Sequence, residues 1–251
     1  MRKRRKTPPY LLPAILVFAI IFSVSVYVAQ KIESQAMVIL APMLQRVNEV
    51  PEISAPHFLV FDMKSGAVIA SKEADVVVPI ASLTKLFAAA NVLSNYDLQA
   101  TTTVTWSDLE GDGGAGKLAY GQTYSYRDLL FPLLIESSND AAEVLARVTG
   151  DTLVDGMNEW ASTTGATQTQ FVDVSGYADG NVSTASDIKL LLTAAFATRH
   201  HIFDITTLPQ YIGTYTGWRN NNPVAKEVGY RGGKNGYTIA ANRTLAAVFD
   251  E

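Results

Sequence analysis

A run of 19 residues without a charge, residues 11–29, lies just behind the cluster Arg2, Lys3, Arg4, Arg5 and Lys6, and it constrains the chain more than any other feature. At about 1.5 Å of rise per helical residue the run spans roughly 28 Å, close to the thickness of a bilayer's hydrocarbon core. It reads as a transmembrane helix. The basic flank places residues 1–10 in the cytoplasm and sends everything after residue 29 across the membrane. A cleaved signal peptide is the competing reading. The run exceeds the usual apolar region of such a peptide, however, and the small-x-small cleavage pattern is weak around Tyr27 and Ala29. A retained single-pass anchor in the cell membrane, with the domain outside the cytoplasm, is therefore expected. Residues 30–54 follow as a juxtamembrane linker, with Ile32, Ala36, Ile39, Met43 and Val47 at helical spacing and Pro42 as a kink.

The remainder, residues 55–251, is long enough for one domain with a real core, since 48% of the chain is hydrophobic and only 18% charged. The N-terminal cluster holds five of the 20 basic residues, so the rest carries a net charge of about −9, and a nucleic-acid surface is not indicated. The chain has no cysteine, which excludes disulfides, thiolate metal sites and a cysteine nucleophile. Its three histidines, His57, His200 and His201, contain no pair at the i, i+4 spacing of a helical metal site. A histidine-based triad is poorly supplied.

Residues 57–63 and 67–71 are short apolar runs joined by Lys64-Ser65-Gly66, the pattern of a β-hairpin. The period then changes: Leu83, Leu86, Phe87, Ala90 and Leu93 predict a helix from about Ser82. Further helices are predicted over 126–136, where Ser125 and Asp128 resemble a capping box, over 140–149 with Gly150 as the stop, around Leu153, Met157 and Trp160, and from Thr184-x-x-Asp187 onward. Residues 99–124, rich in Gly and Thr, read as loop. Residues 229–238 and 244–249 read as strands about a turn at Ala241-Asn242. Strands at both ends with helices between is an α/β layering, of the α+β kind.

In Ser82-Leu83-Thr84-Lys85 the i, i+3 spacing sets a lysine amine one helical turn from a serine hydroxyl, within reach as its base. The lysine serves only when neutral, and the positive end of a helix and a second nearby cation would both push its pKa down. The pattern alone is weak, because Ser186-Asp187-Ile188-Lys189 repeats it and reads as a helix start with a surface lysine. Two companions lend it weight. Ser137-Ser138-Asn139 sits between two predicted helices, where Ser138 or Asn139 also suits an N-cap. Lys234-Asn235-Gly236 lies on a predicted strand, where a glycine admits close approach of a ligand, although Asn-Gly is also a hairpin signal.

These boxes, in this order, resemble the signatures S-x-x-K, S-x-N and K-T-G of the penicillin-recognising serine enzymes. Pro79 to Lys85, Ser138-Asn139-Asp140-Ala141-Ala142, Phe171-Val172-Asp173 with Ser175-Gly176, Ser183 to Asp187 and Asn220-Asn221-Asn222-Pro223 look like the low-molecular-mass D-alanyl-D-alanine carboxypeptidases. The resemblance implies a β-lactamase/transpeptidase-like fold, an antiparallel sheet with a helical subdomain. It implies Ser82 as the acylated nucleophile, Lys85 as its base and Ser137 as the proton relay to the leaving group. Asn139 would bind a substrate amide, Lys234 with Asn235 would face the substrate carboxylate, and Gly236 would admit the substrate backbone to the strand. The backbone N–H groups of Ser82 and Tyr237 would form the oxyanion hole. Peptidoglycan stem peptides are the implied substrates and β-lactams the implied covalent inhibitors, with no metal or organic cofactor.

Two departures stand out. The threonine of K-T-G is Asn235 here, whose longer side chain is expected to weaken binding of the substrate carboxylate rather than abolish acylation. The family also continues with a strand, which lies between the two halves of the sheet, and a helix; this chain ends at Glu251. On that reading the C-terminal strand and helix are missing, sheet edges are left unpaired, and the chain is not expected to be stably active as written. Two functions therefore compete: a D-Ala-D-Ala carboxypeptidase working through acyl-Ser82, and a truncated, non-catalytic wall-binding or scaffolding relative. A class A β-lactamase is a weaker third, since no E-x-x-L-N segment supplies its deacylating glutamate.

Overall fold

The structure, a computed structural model, describes residues 53–111 and 116–250 together with Ser25, Tyr27, Val28, Gln30 and Lys31. Those five lie in the N-terminal unit, Met1–Ser54, and are helical. The expected anchor at 11–29 and linker at 30–54 fall almost wholly outside the described residues. Among the described residues no helix is long and apolar enough to cross a membrane.

The second unit, Ala55–Glu251, opens with the hairpin of β1 (Phe58–Phe61) and β2 (Val68–Lys72), antiparallel, with Phe58 opposite Lys72. Asp62 closes its turn by accepting from the Ser65 backbone and hydroxyl, and its carbonyl accepts from Gly66 N at 2.8 Å. Lys64-Ser65-Gly66 is therefore a turn. After β3 (Val78–Pro79) a 3-10 turn, Ala81–Leu83, leads directly into α1 (Thr84–Asn95). Helix α1 is buried on all sides, with Leu86, Phe87, Ala88, Ala89, Ala90 and Val92 inaccessible to solvent. A run of alanines lets neighbouring elements approach it from every direction, and Phe87 meets the rings of Trp160 and Phe171 with centroids 6.0 and 5.8 Å away. Cutting Phe87 back to alanine would cost about 3–5 kcal/mol.

The stretch expected as loop, 99–124, contains paired strands β4 (Thr101–Thr103) and β5 (Thr123–Ser125) and the 3-10 turn Ser107–Leu109. Three threonines carry no apolar alternation, so only their pairing reveals β4. Helix α2 (Tyr126–Phe131) starts as expected, with Ser125 Oγ accepting from Asp128 N at 3.1 Å. It then widens into a π-helical turn, Pro132–Glu136, that ends at Ser137 in the left-handed conformation. Helix α3 (Asn139–Thr149) is N-capped by Ser138, whose Oγ accepts from Ala141 N at 3.0 Å. Then come α4 (Asp151–Thr163), β6 (Val182–Ser183), which pairs with β3, and α5 (Ala185–Thr198), capped by Thr184. Helix α6 (His201–Thr207) and the hairpin of β7 (Gln210–Ile212) and β8 (Gly217–Arg219) were not anticipated from periodicity, being too short to show it. The described chain closes with β9 (Tyr230–Thr238) and β10 (Asn242–Phe249), antiparallel, with Lys234 opposite Ala246.

The strand edges expected to be unpaired are so among the described residues: β1–β2 and β9–β10 are separate two-stranded antiparallel sheets, as are the other three pairs. Among the described residues no strand bridges the two hairpins. Val68, Ile69, Leu245 and Phe249 on them remain 46–66% exposed.

Candidate active site

The site is assembled where the start of α1, the start of α3, the 173–178 loop and β9 meet. The 3-10 turn carries Ser82, and its preceding residue Ala81 adopts φ 50°. That strained turn is held from two sides: Thr84 Oγ1 donates to Ala81 O at 2.8 Å, and Thr244 Oγ1 on β10 donates to Ile80 O at 3.0 Å. The i, i+3 spacing then does what the sequence predicted. Lys85 Nζ donates to Ser82 Oγ at 3.0 Å.

Lys85 is fully buried and donates to two further acceptors, Asn139 Oδ1 at 2.7 Å and the Ser175 carbonyl oxygen at 2.5 Å. One amine thus joins three segments far apart in sequence. Burial pushes its pKa down from 10.5 to about 7, against the opposing pull of the Asp173 and Glu143 carboxylates. The expectation that a second cation and the helix end would depress this lysine is corrected: loss of hydration is the leading cause. The mutual repulsion falls on Lys234, buried on β9 and pushed well below its ordinary value by burial first and by Lys85 second. Lys234 Nζ donates to Asn235 O at 2.7 Å, and no carboxylate among the described residues pairs with it.

Gly236 faces the nucleophile. A Cβ there would sit 2.7 Å from Ser82 N and 2.7 Å from Thr244 Oγ1, so no residue with a side chain fits without displacing the serine's backbone. Asn235 Oδ1 is buried and meets no hydrogen-bond donor among the described residues. Tyr237 is 64% exposed, leaving the strand edge beside Ser82 open to solvent. Ser137 is partly buried and takes φ 64°, ψ 37°. The turn just before it is held by Asn221, which donates to Glu136 O at 2.8 Å through its side chain and to Ile135 O at 3.1 Å through its backbone. Asn220 and Asn222 stitch neighbouring segments, reaching Thr206 O and Tyr230 OH.

The structure therefore brings Ser82, Lys85 and Asn139 into direct contact, sets Gly236 against Ser82, and places Lys234 within electrostatic range of Lys85. The repeat of the motif at Ser186–Lys189 stays apart: Lys189 Nζ donates to Gly66 O at 2.9 Å and Ser186 to Asp75. Sequence reasoning gave no role to the loop that supplies Ser175 O. Asp173 builds it, accepting from Ser175 N at 2.8 Å, Gly176 N at 2.6 Å and Ala178 N at 2.9 Å. Gly176, at φ 76°, is required there because a Cβ would fall 1.9 Å from Ala81 O. The Asp-x-Ser-Gly spacing was visible; a backbone carbonyl leaves no mark in a sequence.

A serine hydroxyl bonded to a buried amine that can be neutral at ordinary pH, beside a second buried amine and an open strand edge, is equipped for acyl transfer. A family profile described as D-alanyl-D-alanine carboxypeptidase matches residues 44–249. The chain is 34% identical over 208 residues to D-alanyl-D-alanine carboxypeptidase DacB2 of Mycobacterium tuberculosis, covering 78% of this chain and 70% of that one. It is 37% identical over 149 residues to a D-alanyl-D-alanine endopeptidase of Pseudomonas aeruginosa, covering 57% of this chain and 48% of that one. The fold superposes on penicillin-binding protein D2 of Listeria monocytogenes in its cefotaxime-bound form, with TM-score 0.72 and 28% identity over 80% of this chain and 86% of the other. The architecture is thus the α/β penicillin-binding, transpeptidase-like fold.

Proposed function

Because the chain belongs to the D-alanyl-D-alanine carboxypeptidase family, we propose that it removes the terminal D-alanine from peptidoglycan stem peptides through an acyl-Ser82 intermediate. The observation that carries the reading is the triple bonding of Lys85 Nζ to Ser82 Oγ, Asn139 Oδ1 and Ser175 O. In the neutral form Lys85 takes the proton of Ser82 as Oγ attacks the carbonyl carbon of the D-Ala-D-Ala bond. The oxyanion of the tetrahedral intermediate is received by the N–H groups of Ser82 and Tyr237, each worth a few kcal/mol. Collapse breaks the C–N bond, Ser137 passes a proton to the departing amine, and water then hydrolyses the ester. Asn139 holds a peptide amide. Lys234, with Asn235 beside it, receives the substrate carboxylate, whose arrival supplies the counter-charge this buried amine otherwise lacks. β-Lactams mimic the same bond and acylate the same serine. The uncharged run at 11–29 behind its basic flank supports a membrane anchor with the catalytic unit outside the cytoplasm.

A second reading, a non-catalytic wall-binding relative, is favoured by the unpartnered Asn235 Oδ1. The two are separated by incubating the protein with a fluorescent penicillin and with a D-Ala-D-Ala pentapeptide. Covalent label that Ser82→Ala abolishes, together with D-alanine release, supports the enzyme; binding of wall fragments with neither supports the scaffold.

A further inference from the structure

We infer that His200, His201 and Asp204 form a binding site for a divalent transition-metal ion of the zinc class, on the outer side of the turn joining α5 to α6. Their donor atoms, one from each side chain, all lie within 4.8 Å of one another. The closest pair, His201 Nδ1 and Asp204 Oδ2, is 3.4 Å apart, and the two imidazole rings lie 4.2 Å centroid to centroid. Ligands bound to zinc at about 2.0–2.2 Å stand roughly 3.4 Å from one another in a tetrahedron. His201 and Asp204 already have that separation, and His200, within 4.8 Å, has to close by at most about 1.4 Å, which an exposed side chain achieves by rotation.

The scaffold beneath is rigid. His200 O accepts from Phe203 N at 2.8 Å and Asp204 N at 3.2 Å, which makes this residue the first carbonyl of the helix. On the inner side Ile202 and Phe203 are buried, and Thr206 Oγ1 accepts from Gly233 N at 3.0 Å, fixing α6 to the strand that carries Lys234. Positions i, i+1 and i+4 of this turn therefore aim their donors together into solvent, while i+2, i+3 and i+6 anchor it. The i, i+4 histidine spacing that marks a helical metal site in a sequence is absent because the second imidazole comes from the capping residue instead.

Two neutral imidazoles and a carboxylate suit zinc, nickel or copper rather than calcium or magnesium, with water in the remaining position. Asp204 offsets the cost of a cation near a helix start. The rest of the chain offers little competition: there is no cysteine, and the one other histidine, His57, lies 3.4 Å from Glu73 on a different element.

The test uses the full-length chain without a histidine tag, stripped with chelator, titrated calorimetrically with zinc chloride alone and then with cobalt(II) chloride to read the ligand-field spectrum. Expected are one ion per chain, a tetrahedral cobalt spectrum, and a loss of affinity of at least about tenfold in both His201→Ala and Asp204→Asn, with His57→Ala unchanged. Zinc should also raise Tm in the parent and not in those two variants. Penicillin labelling of Ser82, measured on the same samples, reports folding and stands or falls separately. No stoichiometric uptake, uptake that survives both substitutions, or uptake that disappears in His57→Ala would overturn the assignment.

Discussion

Replacing Asp173 by asparagine isolates how the buried base is tuned and held. In the parent, Lys85 has a pKa of about 7, so its neutral fraction, and with it the rate of acylation, should fall about tenfold per pH unit on the acid side and reach roughly a hundredth of its plateau near pH 5. The groups facing this amine are Asp173 from the loop and Glu143 from α3, which both favour the charged form, and Lys234 from β9, which disfavours two charges together. Removing the Asp173 charge leaves burial less opposed, so the acid limb of the profile moves to lower pH. The asparagine also has one acceptor oxygen where the carboxylate uses two. Oδ1 can still serve Ser175 N and Gly176 N, but an amide nitrogen would face Ala178 N. One backbone donor is left unpaired, at about 1–3 kcal/mol, and the Ser175 carbonyl loses its fixed aim at Lys85. The plateau should therefore drop while the limb shifts to acid. Single-turnover acylation by a fluorescent penicillin, followed across about pH 5 to 9, reads both. A parent profile flat through neutrality, or a limb that moves to higher pH in Asp173→Asn, would refute the reasoning.

Gly236→Ala should abolish acylation and cost about 1–3 kcal/mol of stability, because the new methyl meets the Ser82 amide and Thr244 Oγ1 at 2.7 Å; labelling comparable to the parent would contradict the close approach. Asn235→Thr should raise kcat/KM on a D-Ala-D-Ala peptide severalfold by removing a buried unpartnered oxygen and restoring a hydroxyl at the carboxylate, and unchanged kinetics would count against that role. Arg147→Ala should cost about 2–3 kcal/mol in denaturant unfolding, since Asp108 is 2% exposed and loses Arg147 Nε at 2.7 Å, though the 36% exposed guanidinium keeps the figure below that of a fully buried pair. Burial alone would raise the Asp108 pKa, but Arg147 and Thr105 hold it below 3.8, so this contribution is present above the ordinary carboxylate range and is lost as pH falls through it. Lys85 acts in the same direction in a higher window: the unfolded chain binds its proton more tightly, so stability rises between about pH 7 and 10.5 by up to about 1.4 kcal/mol per pH unit, and Lys85→Met should lessen that slope, Lys234 supplying the remainder.

Local chemistry was readable in order along the chain. The Ser82–Lys85 pair follows from helical geometry alone, since any helix beginning near Ser82 brings the two side chains together. The caps at Ser125, Ser138 and Thr184 follow from side-chain oxygens three residues ahead of backbone donors, and the Lys64-Ser65-Gly66 turn from Asp62 and glycine chemistry. The boxes at Asn139 and Gly236 could be identified, but their convergence could not be computed, because it depends on contacts spanning 54 positions or more.

What only the tertiary structure decided has one physical root: burial and long-range pairing are properties of the assembled domain. They made desolvation rather than a second cation the main force on Lys85, and recruited the Ser175 carbonyl, which no side-chain motif records. They turned Thr101–Thr103 into a strand by giving it a partner, and left β1–β2 and β9–β10 as hairpins that pair only within themselves among the described residues. A sequence states which groups can interact at short range; which of them lose water, and to whom they then turn, is settled when distant segments close over them.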